Sequence, residues 1–398
     1  MQVLGGRRFV AAVFVASMVA AVLVGARGPA SADSSDELGY PSWISTVSDP
    51  DDLPKAPGPM SGTFVGHGPT TSMASAMTGT TFLVSETGRA YRLPQTDDIV
   101  RYTPALSSDG SRVGYFPDSD GYVIRDLVSG ETTTFARIRA GDLGREPLMF
   151  DGSRTWWSPD NTRLLIGTEP RVVLSLDGSI TEVQRPRGRS PYPVGWIGDD
   201  IAWIRWSGSD PDRPESGELV VAPVSGGRGK TVQLEDVAAI DEVVGAGVAV
   251  SPDGSSLAVV TTDGEERGRF TLYSTADGSV TARSAVDHAI NPNCPLSWAS
   301  GEPAVAGGVE LSGIGGSSSS IALLAMSGET LVRSRDTFAP CSVWASDALS
   351  GPRDSAGALA SGGSMTAYVG VAAVIVVGAA ACGWFLVRRR RKALAPTS

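Results

Sequence analysis

Two tryptophans followed by a charged segment are the residues best suited to bind a ligand. Trp203 and Trp206 precede a short stretch that contains Asp210, Asp212 and Arg213. Aromatic rings beside carboxylates and a guanidinium can hold a sugar or a peptide. Segments of this composition are also common connectors, whose tryptophans pack against strands while the loop is solvated. We treat these five residues as a candidate ligand loop and keep the connector interpretation open.

Side chains for catalysis are few. The only two histidines, His67 and His288, lie in no recognisable catalytic motif, and no Gly-x-Ser-x-Gly turn is present for a serine nucleophile. The segment Asp118–Gly121 looks like half of a calcium loop, but it lacks the earlier Asp and the later Glu that such a loop needs. We therefore predict no catalytic residue, no metal site and no cofactor. Paired carboxylates for glycoside hydrolysis stay open among the 43 acidic residues.

Two cysteines are candidates for a disulfide. Cys294 and Cys341 lie 47 residues apart, and each precedes a tryptophan by a few residues. In an exported protein such a pair is expected to oxidise. The alternative is two reduced, buried cysteines that act as small apolar residues.

Both ends of the chain carry membrane-directing signals. Residues 1–32 have a basic start, an apolar stretch and a small-x-small cleavage site, which is the pattern of a signal peptide. Residues 366–387 are apolar and long enough to span a bilayer, and the basic tail 388–398 is expected to stay in the cytoplasm. We predict a single-pass protein of a bacterial plasma membrane with its domain outside.

The charge of the exported part limits its partners. Residues 33–364 contain 25 basic and 43 acidic residues, a formal charge of −18. A surface this acidic repels phosphates, so nucleic acid and anionic lipid are unsuitable partners for this part of the chain.

A repeat determines the expected fold. Six turns centred on glycine, each between two strand-like runs, follow one another at intervals of 42 to 52 residues: Gly88, Gly130, Gly178, Gly226, Gly278 and Gly328. A period of this length in an all-β chain is typical of a propeller with one four-stranded blade per repeat.

The order of the repeat parts predicts how the ring closes. Each repeat has a first strand pair joined by a tight turn and then a hairpin, but the first hairpin precedes any such pair, and the last pair, at Trp344, follows the last hairpin. We expect N- and C-terminal strands to share the closing blade, with Gly62–Val65 as its missing strand. If that segment begins its own blade, the count becomes seven instead of six. The predicted divisions are an extended linker 33–60, of which 49–54 could instead wrap an edge of the propeller, the propeller 61–349 and a flexible stalk 350–365.

The tight turns carry a family resemblance. Ser251-Pro252-Asp253-Gly254 and Ser158-Pro159-Asp160-Asn161, each between apolar strands, resemble the repeats of TolB-type, WD-repeat-like propellers, with a partial copy at Ser108. The resemblance implies the fold over most of the exported part. Members of this group range from binding proteins to propellers fused to peptidases, so it implies little about function.

These observations favour a function in binding. Our leading prediction is a membrane-tethered platform that binds an envelope or secreted protein without catalysis. A carbohydrate-binding or glycoside-hydrolysing surface enzyme is the second hypothesis, and two carboxylates about 5–10 Å apart in a pocket would favour it. The third is a structural component of an envelope complex, for which a large exposed apolar patch would speak.

Overall fold

The computed structural model describes fourteen segments of the chain: 38–45, 51–66, 80–94, 104–117, 121–139, 155–167, 171–186, 191–208, 215–237, 247–262, 267–290, 294–307, 320–335 and 342–354. The predicted signal peptide, membrane span and basic tail lie outside these segments. Within the described segments, no helix has the length and apolar character needed to span a bilayer.

The N-terminal part contributes six strands to the fold. They are β1 (Tyr40–Pro41), β2 (Trp43–Ser45), β3 (Asp51–Asp52), β4 (Gly62–Gly66), β5 (Thr80–Val84) and β6 (Ala90–Arg92). Strands β4 to β6 form most of blade 1.

Blades 2 to 5 are four-stranded antiparallel sheets built from consecutive strands. Blade 2 contains β7 (Ala105–Leu106), β8 (Arg112–Tyr115), β9 (Tyr122–Asp126) and β10 (Thr132–Phe135). Blade 3 contains β11 (Thr155–Trp157), β12 (Arg163–Ile166), β13 (Val172–Ser175) and β14 (Ile180–Glu182). Blade 4 contains β15 (Tyr192–Ile197), β16 (Asp200–Ser207), β17 (Ser216–Ala222) and β18 (Lys230–Leu234). Blade 5 contains β19 (Val248–Val250), β20 (Ser256–Thr262), β21 (Arg267–Ser274) and β22 (Val280–Ala289).

The C-terminal part completes blade 6 and returns to blade 1. Blade 6 contains β23 (Ser297–Ala299), β24 (Glu302–Val305), β25 (Ser320–Ala325) and β26 (Thr330–Arg335). After it come β27 (Ser342–Trp344), the short helix α1 (Ser346–Ser350) and β28 (Arg353–Asp354). The six predicted hairpin glycines join the last two strands of each blade, and each has a positive φ between 75° and 87°.

The ring closes as the sequence predicts. Strand β27 pairs antiparallel with β4, with Ser342 opposite Phe64 and Trp344 opposite Gly62. Because Gly62–Gly66 supplies the second strand of the shared blade, it begins no blade of its own. The six-blade prediction is confirmed, and the seven-blade alternative is wrong.

Residues 38–60, here called the N-terminal strap, belong to the propeller where they are described. In parallel pairings, β2 adds a fifth strand to β26 of blade 6 and β3 adds one to β6 of blade 1. The strap then reaches blade 2, where Arg125 donates a hydrogen bond to the Lys55 carbonyl at 2.8 Å. Strand β1 pairs with β28, so ordered structure also extends to 354. Strands β1 to β3 thus lie within the segment 33–60, and β28 lies within the segment 350–365. Composition does not reveal this long-range strand pairing, and the boundaries of the divisions stay predictions.

The core is divided among the junctions between blades. Six apolar clusters each combine residues from two neighbouring blades. Alternation along a strand produces this division, since successive side chains point to opposite faces of a sheet. Leu164 packs toward blade 2, for example, and its neighbour Leu165 packs toward blade 4.

Candidate functional site

The turns between the first two strands of blades 2, 3 and 5 share one hydrogen-bond pattern. In blade 3, Ser158 Oγ donates to Asp160 Oδ1 at 2.5 Å and accepts from Arg163 N at 3.0 Å. Asn161 then takes the left-handed conformation, with φ at 54°. Ser107 with Asp109, and Ser251 with Asp253, repeat the arrangement with Gly at the left-handed position.

These hydrogen bonds keep the turn carboxylates charged. Bonds from Ser158 and Thr162 outweigh burial and lower the pKa of Asp160 to about 2. The pKa of Asp253 is lowered mainly by the hydroxyl of Ser251. For Asp109, burial alone would raise the pKa, but hydrogen bonds from Ser107 and Ser111 lower it. The Asp of the turn motif is therefore used to build the turn.

The turns place the first strand of each blade at the centre of the ring. Strands β7, β11, β15, β19, β23 and β27 each stand at one end of their sheet, so one edge of each lacks a strand partner. Neighbouring first strands contact one another around the axis. Unpaired backbone groups on these inner edges are therefore directed toward the central channel.

A cavity of about 140 Å³ lies in this channel. Two consecutive residues from the first strand of every blade line it. These twelve, here called the channel ring, are Ala105, Leu106, Trp156, Trp157, Gly195, Trp196, Ala249, Val250, Ser297, Trp298, Val343 and Trp344. All six blades thus converge on one cavity, and five of the chain's nine tryptophans line it.

Two of these tryptophans join neighbouring blades. Trp157 Nε1 donates to the Ala105 carbonyl of blade 2 at 3.1 Å, and Trp196 Nε1 donates to the Trp156 carbonyl of blade 3 at 2.9 Å. Trp298 and Trp344 occupy the equivalent positions in blades 6 and 1, yet their buried Nε1 atoms have no hydrogen-bond partner among the described residues. The first pair therefore fixes blade junctions by hydrogen bonds, whereas the second fixes them by packing.

The cavity lining has no ionisable acid or base. Among the described residues that form it, none is Asp, Glu, Lys, Arg or His. The carboxylate pair required by the glycoside-hydrolase hypothesis is therefore not found there. Asp109 and Asp347 do interact near the channel, where burial and the charge of Asp109 raise the pKa of Asp347, but neither lines the cavity.

The candidate ligand loop is only partly described. Trp203 is fully buried between blades 3 and 4, so it contributes packing and offers no surface to a ligand. Trp206 is half-buried and donates from Nε1 to the Tyr192 hydroxyl at 2.5 Å. Asp210, Asp212 and Arg213 lie outside the described residues. The burial of Trp203 agrees with the connector interpretation, and the candidate ligand loop stays a prediction.

The predicted disulfide has one described partner. Cys294 is completely buried, and Cys341 lies outside the described residues. Three residues beyond each cysteine the two segments meet, because Trp344 N donates to Ser297 Oγ at 3.0 Å. The pairing stays a prediction.

Metal ligands and exposed apolar surface can be examined among the described residues. No group of three or more His, Cys, Asp or Glu side chains is placed to hold a metal ion there. Val128 is the one large apolar residue that is strongly exposed among them, so no apolar patch of interface size appears on that surface.

The channel ring was not predicted as a site. From the sequence we predicted the turns and the apolar residue near the end of each first strand, here called the anchor. We did not predict a role for the residue before each anchor. The alternation of side chains along a strand is a usable signal. When an anchor packs between blades, the residue beside it must point to the opposite side of the strand. The mixture of Ala, Trp, Gly, Ser and Val at that position hides the repeat.

Comparison with known proteins gives fold information only. No family model matches the chain, and no curated protein matches it. Among solved structures it is similar to TolB from Acinetobacter baumannii, at 12% identity and a TM-score of 0.45, over 72% of this chain and 66% of that one. It is also similar to the β-propeller domain of the Trilobed protease from Pyrococcus furiosus, at 12% identity and a TM-score of 0.35, over 58% of this chain and 69% of that one.

Similarities this low carry no argument about function. The chain matches less than two thirds of the length of TolB. The blades themselves are the stronger observation, because their number, closure and turns all agree with the sequence-based expectation. The chain forms a six-bladed β-propeller.

Proposed function

We propose that the chain is a membrane-tethered binding platform that holds an envelope or secreted protein at its central channel and catalyses no reaction. One observation carries this proposal: every blade contributes to a single cavity whose lining contains tryptophan, proline and small residues and no charged side chain. Such a lining offers contact area and no general acid, general base or carboxylate nucleophile.

The mouth of the channel suits a protein partner. Pro159 and Pro252 line the cavity and are also exposed at the turns of blades 3 and 5. Exposed rigid turns from several blades make a broad, preorganised surface around the opening, which lowers the entropic cost of association. The tether is proposed from residues 366–387 of the sequence.

Site-directed cross-linking in the native host tests the proposal. A photoreactive residue at position 159 or 252 of the full-length chain is expected to form an adduct with one protein. The same residue in place of Ala285, which is exposed on the outer strand of blade 5, is the matched control. Equal adducts from all three positions, or none from the two channel positions, would contradict a partner at this mouth.

The tether has its own test. Membranes washed with alkaline carbonate should retain the full-length chain, and external protease should digest the propeller and leave a C-terminal tag intact. Release by carbonate would contradict the tether and leave the binding site untouched.

A further inference from the structure

We infer that the channel cavity binds an uncharged aromatic group of about one six-membered ring, such as benzyl alcohol, or the corresponding side chain of a partner. The inference rests on the proposed function, because it concerns the same cavity and names the chemistry that enters it.

The volume of the cavity limits the size of the group. It measures about 140 Å³, and an engineered protein cavity of about 150 Å³ admits one benzene molecule. An oligosaccharide or a folded loop is too large for this space. One small ring, free or carried by a side chain, fills it.

The charge of the lining determines which charge the bound group can carry. With no charged side chain among the lining residues, neither a carboxylate nor an ammonium would find a counter-ion. Moving such a group from water into the cavity is costly without a partner. A neutral group avoids this cost.

The hydrogen bonds of the lining argue against a sugar. Most polar side chains of the lining already have partners inside the protein. Ser158 and Ser251 donate to Asp160 and Asp253, Ser297 accepts from Trp344 N, and Ser108 is bonded to Asn161 at 3.0 Å. A sugar needs many hydrogen-bond partners, whereas a ring with one neutral polar atom needs only the backbone groups of an inner strand edge.

The tryptophans of blade 3 provide the attractive surface. Trp156 and Trp157 line the cavity and are only partly buried, whereas Trp196, Trp298 and Trp344 are almost completely buried. The ring of Trp157 is fixed by its bond to blade 2. A ring held in place in this way can stack on a second ring or meet its edge with little loss of side-chain entropy.

Titration calorimetry on the full-length chain in detergent micelles tests the chemistry. Benzyl alcohol is compared with benzoate and benzylamine, which have the same ring but carry a charge at neutral pH, and with glucose. We expect saturable binding of benzyl alcohol after subtraction of empty micelles, and at least tenfold weaker binding of the charged compounds and glucose. No saturable binding of benzyl alcohol, or equal binding of benzoate, would overturn the inference.

Cavity-filling variants test the location. Ala249→Phe and Val343→Phe introduce a ring at the lining, and Ala285→Phe makes the first of these changes on the exposed outer strand of the same blade. The two lining variants should weaken binding at least tenfold and the control should not. Wild-type affinity in both folded lining variants would overturn the site, and if both fail to fold, the comparison of charged and neutral rings decides.

Different results would contradict the proposed function and this inference. If neutral rings do not bind but position 159 still cross-links to one protein, this inference falls and the proposed function stands. If rings bind and no protein is captured, the cavity serves a free small molecule, and the protein-partner proposal falls.

Discussion

Equivalent tryptophans around the channel have unequal roles, which single substitutions can separate. Trp157→Phe and Trp196→Phe remove a hydrogen bond to a neighbouring blade, whereas Trp298→Phe and Trp344→Phe remove donors that have no partner. We expect the first two to lower the free energy of unfolding by about 1 kcal/mol more than the second two. Urea unfolding of the full-length variants measures the difference, and the volume change is the same in all four. Equal losses would show that the indole bonds contribute nothing net.

The carboxylates of the turns make the free energy of unfolding depend on pH. The pKa of Asp160 is lowered from 3.8 to about 2 in the folded chain. A lowered pKa stabilises the fold above the unfolded value, so this contribution is present above about pH 4 and is lost as the pH falls toward 2. Because Asp160 is exposed, we expect less than about 1 kcal/mol.

The variant Asp160→Asn isolates that contribution. It should be less stable than wild type at pH 7, and the difference should shrink as the pH approaches 2. Thermal unfolding at several pH values measures it, with Asp287→Asn, an exposed acid on the outer strand β22, as the control. A difference that is constant with pH would rule out the charged form of Asp160 as the cause.

At the scale of elements, the N-terminal strap stabilises the closing blade. Ile44 is completely buried in the cluster between blades 6 and 1. Ile44→Ala should therefore lower the free energy of unfolding by about 2–4 kcal/mol, from lost burial and the cavity that remains. Chemical unfolding of the full-length chain measures this loss.

The control for that change is Val128→Ala. Because Val128 is 56% exposed, this substitution should lower the free energy of unfolding by less than about 0.5 kcal/mol. If both substitutions lower the free energy of unfolding only slightly, the strap contributes little to stability.

The elements differ in how far the sequence predicts them. The Ser-Pro-Asp-Gly turns and the hairpin glycines are local, because the hydrogen bonds and positive φ values they need involve residues within a few positions. The strap is the opposite case. Its short strands pair in parallel with segments such as Arg333–Arg335, almost three hundred residues away, and nothing in a stretch rich in Ser, Asp and Pro identifies such partners.

The features of the site also divide into local ones, which the sequence predicts, and long-range ones, which it does not. The two anchors Trp157 and Trp196 were recognisable from the turn motif, but their indole bonds depend on how neighbouring blades are oriented. The choice between ligand contact and packing stayed open for Trp203 for the same reason, because its burial is set by Leu165 and Val173 of the adjacent blade. A motif specifies its own backbone, whereas a cavity shared by six blades exists only after assembly.

At the scale of the whole molecule, a disulfide would join blade 6 to the closing strand. If the chain is exported as the sequence predicts, we expect Cys294 and Cys341 to be oxidised, and replacing both with Ser to lower the free energy of unfolding by about 2–5 kcal/mol. Peptide mapping by mass spectrometry of alkylated, unreduced protein detects the bond. Alkylation of both cysteines without reductant would contradict it.

The shared blade also sets the order in which the chain can fold. Phe64 pairs with Ser342, so β4 is synthesised 278 residues before the strand that completes its sheet. Until then the edge of β4 that faces the channel is unpaired, and the apolar cluster between blades 6 and 1 lacks Trp344. Contacts this distant in sequence slow folding and leave strand edges open to wrong partners. A chain truncated before residue 342 should therefore remain prone to aggregation however well its middle blades form, and a nascent chain needs protection until its last strand emerges.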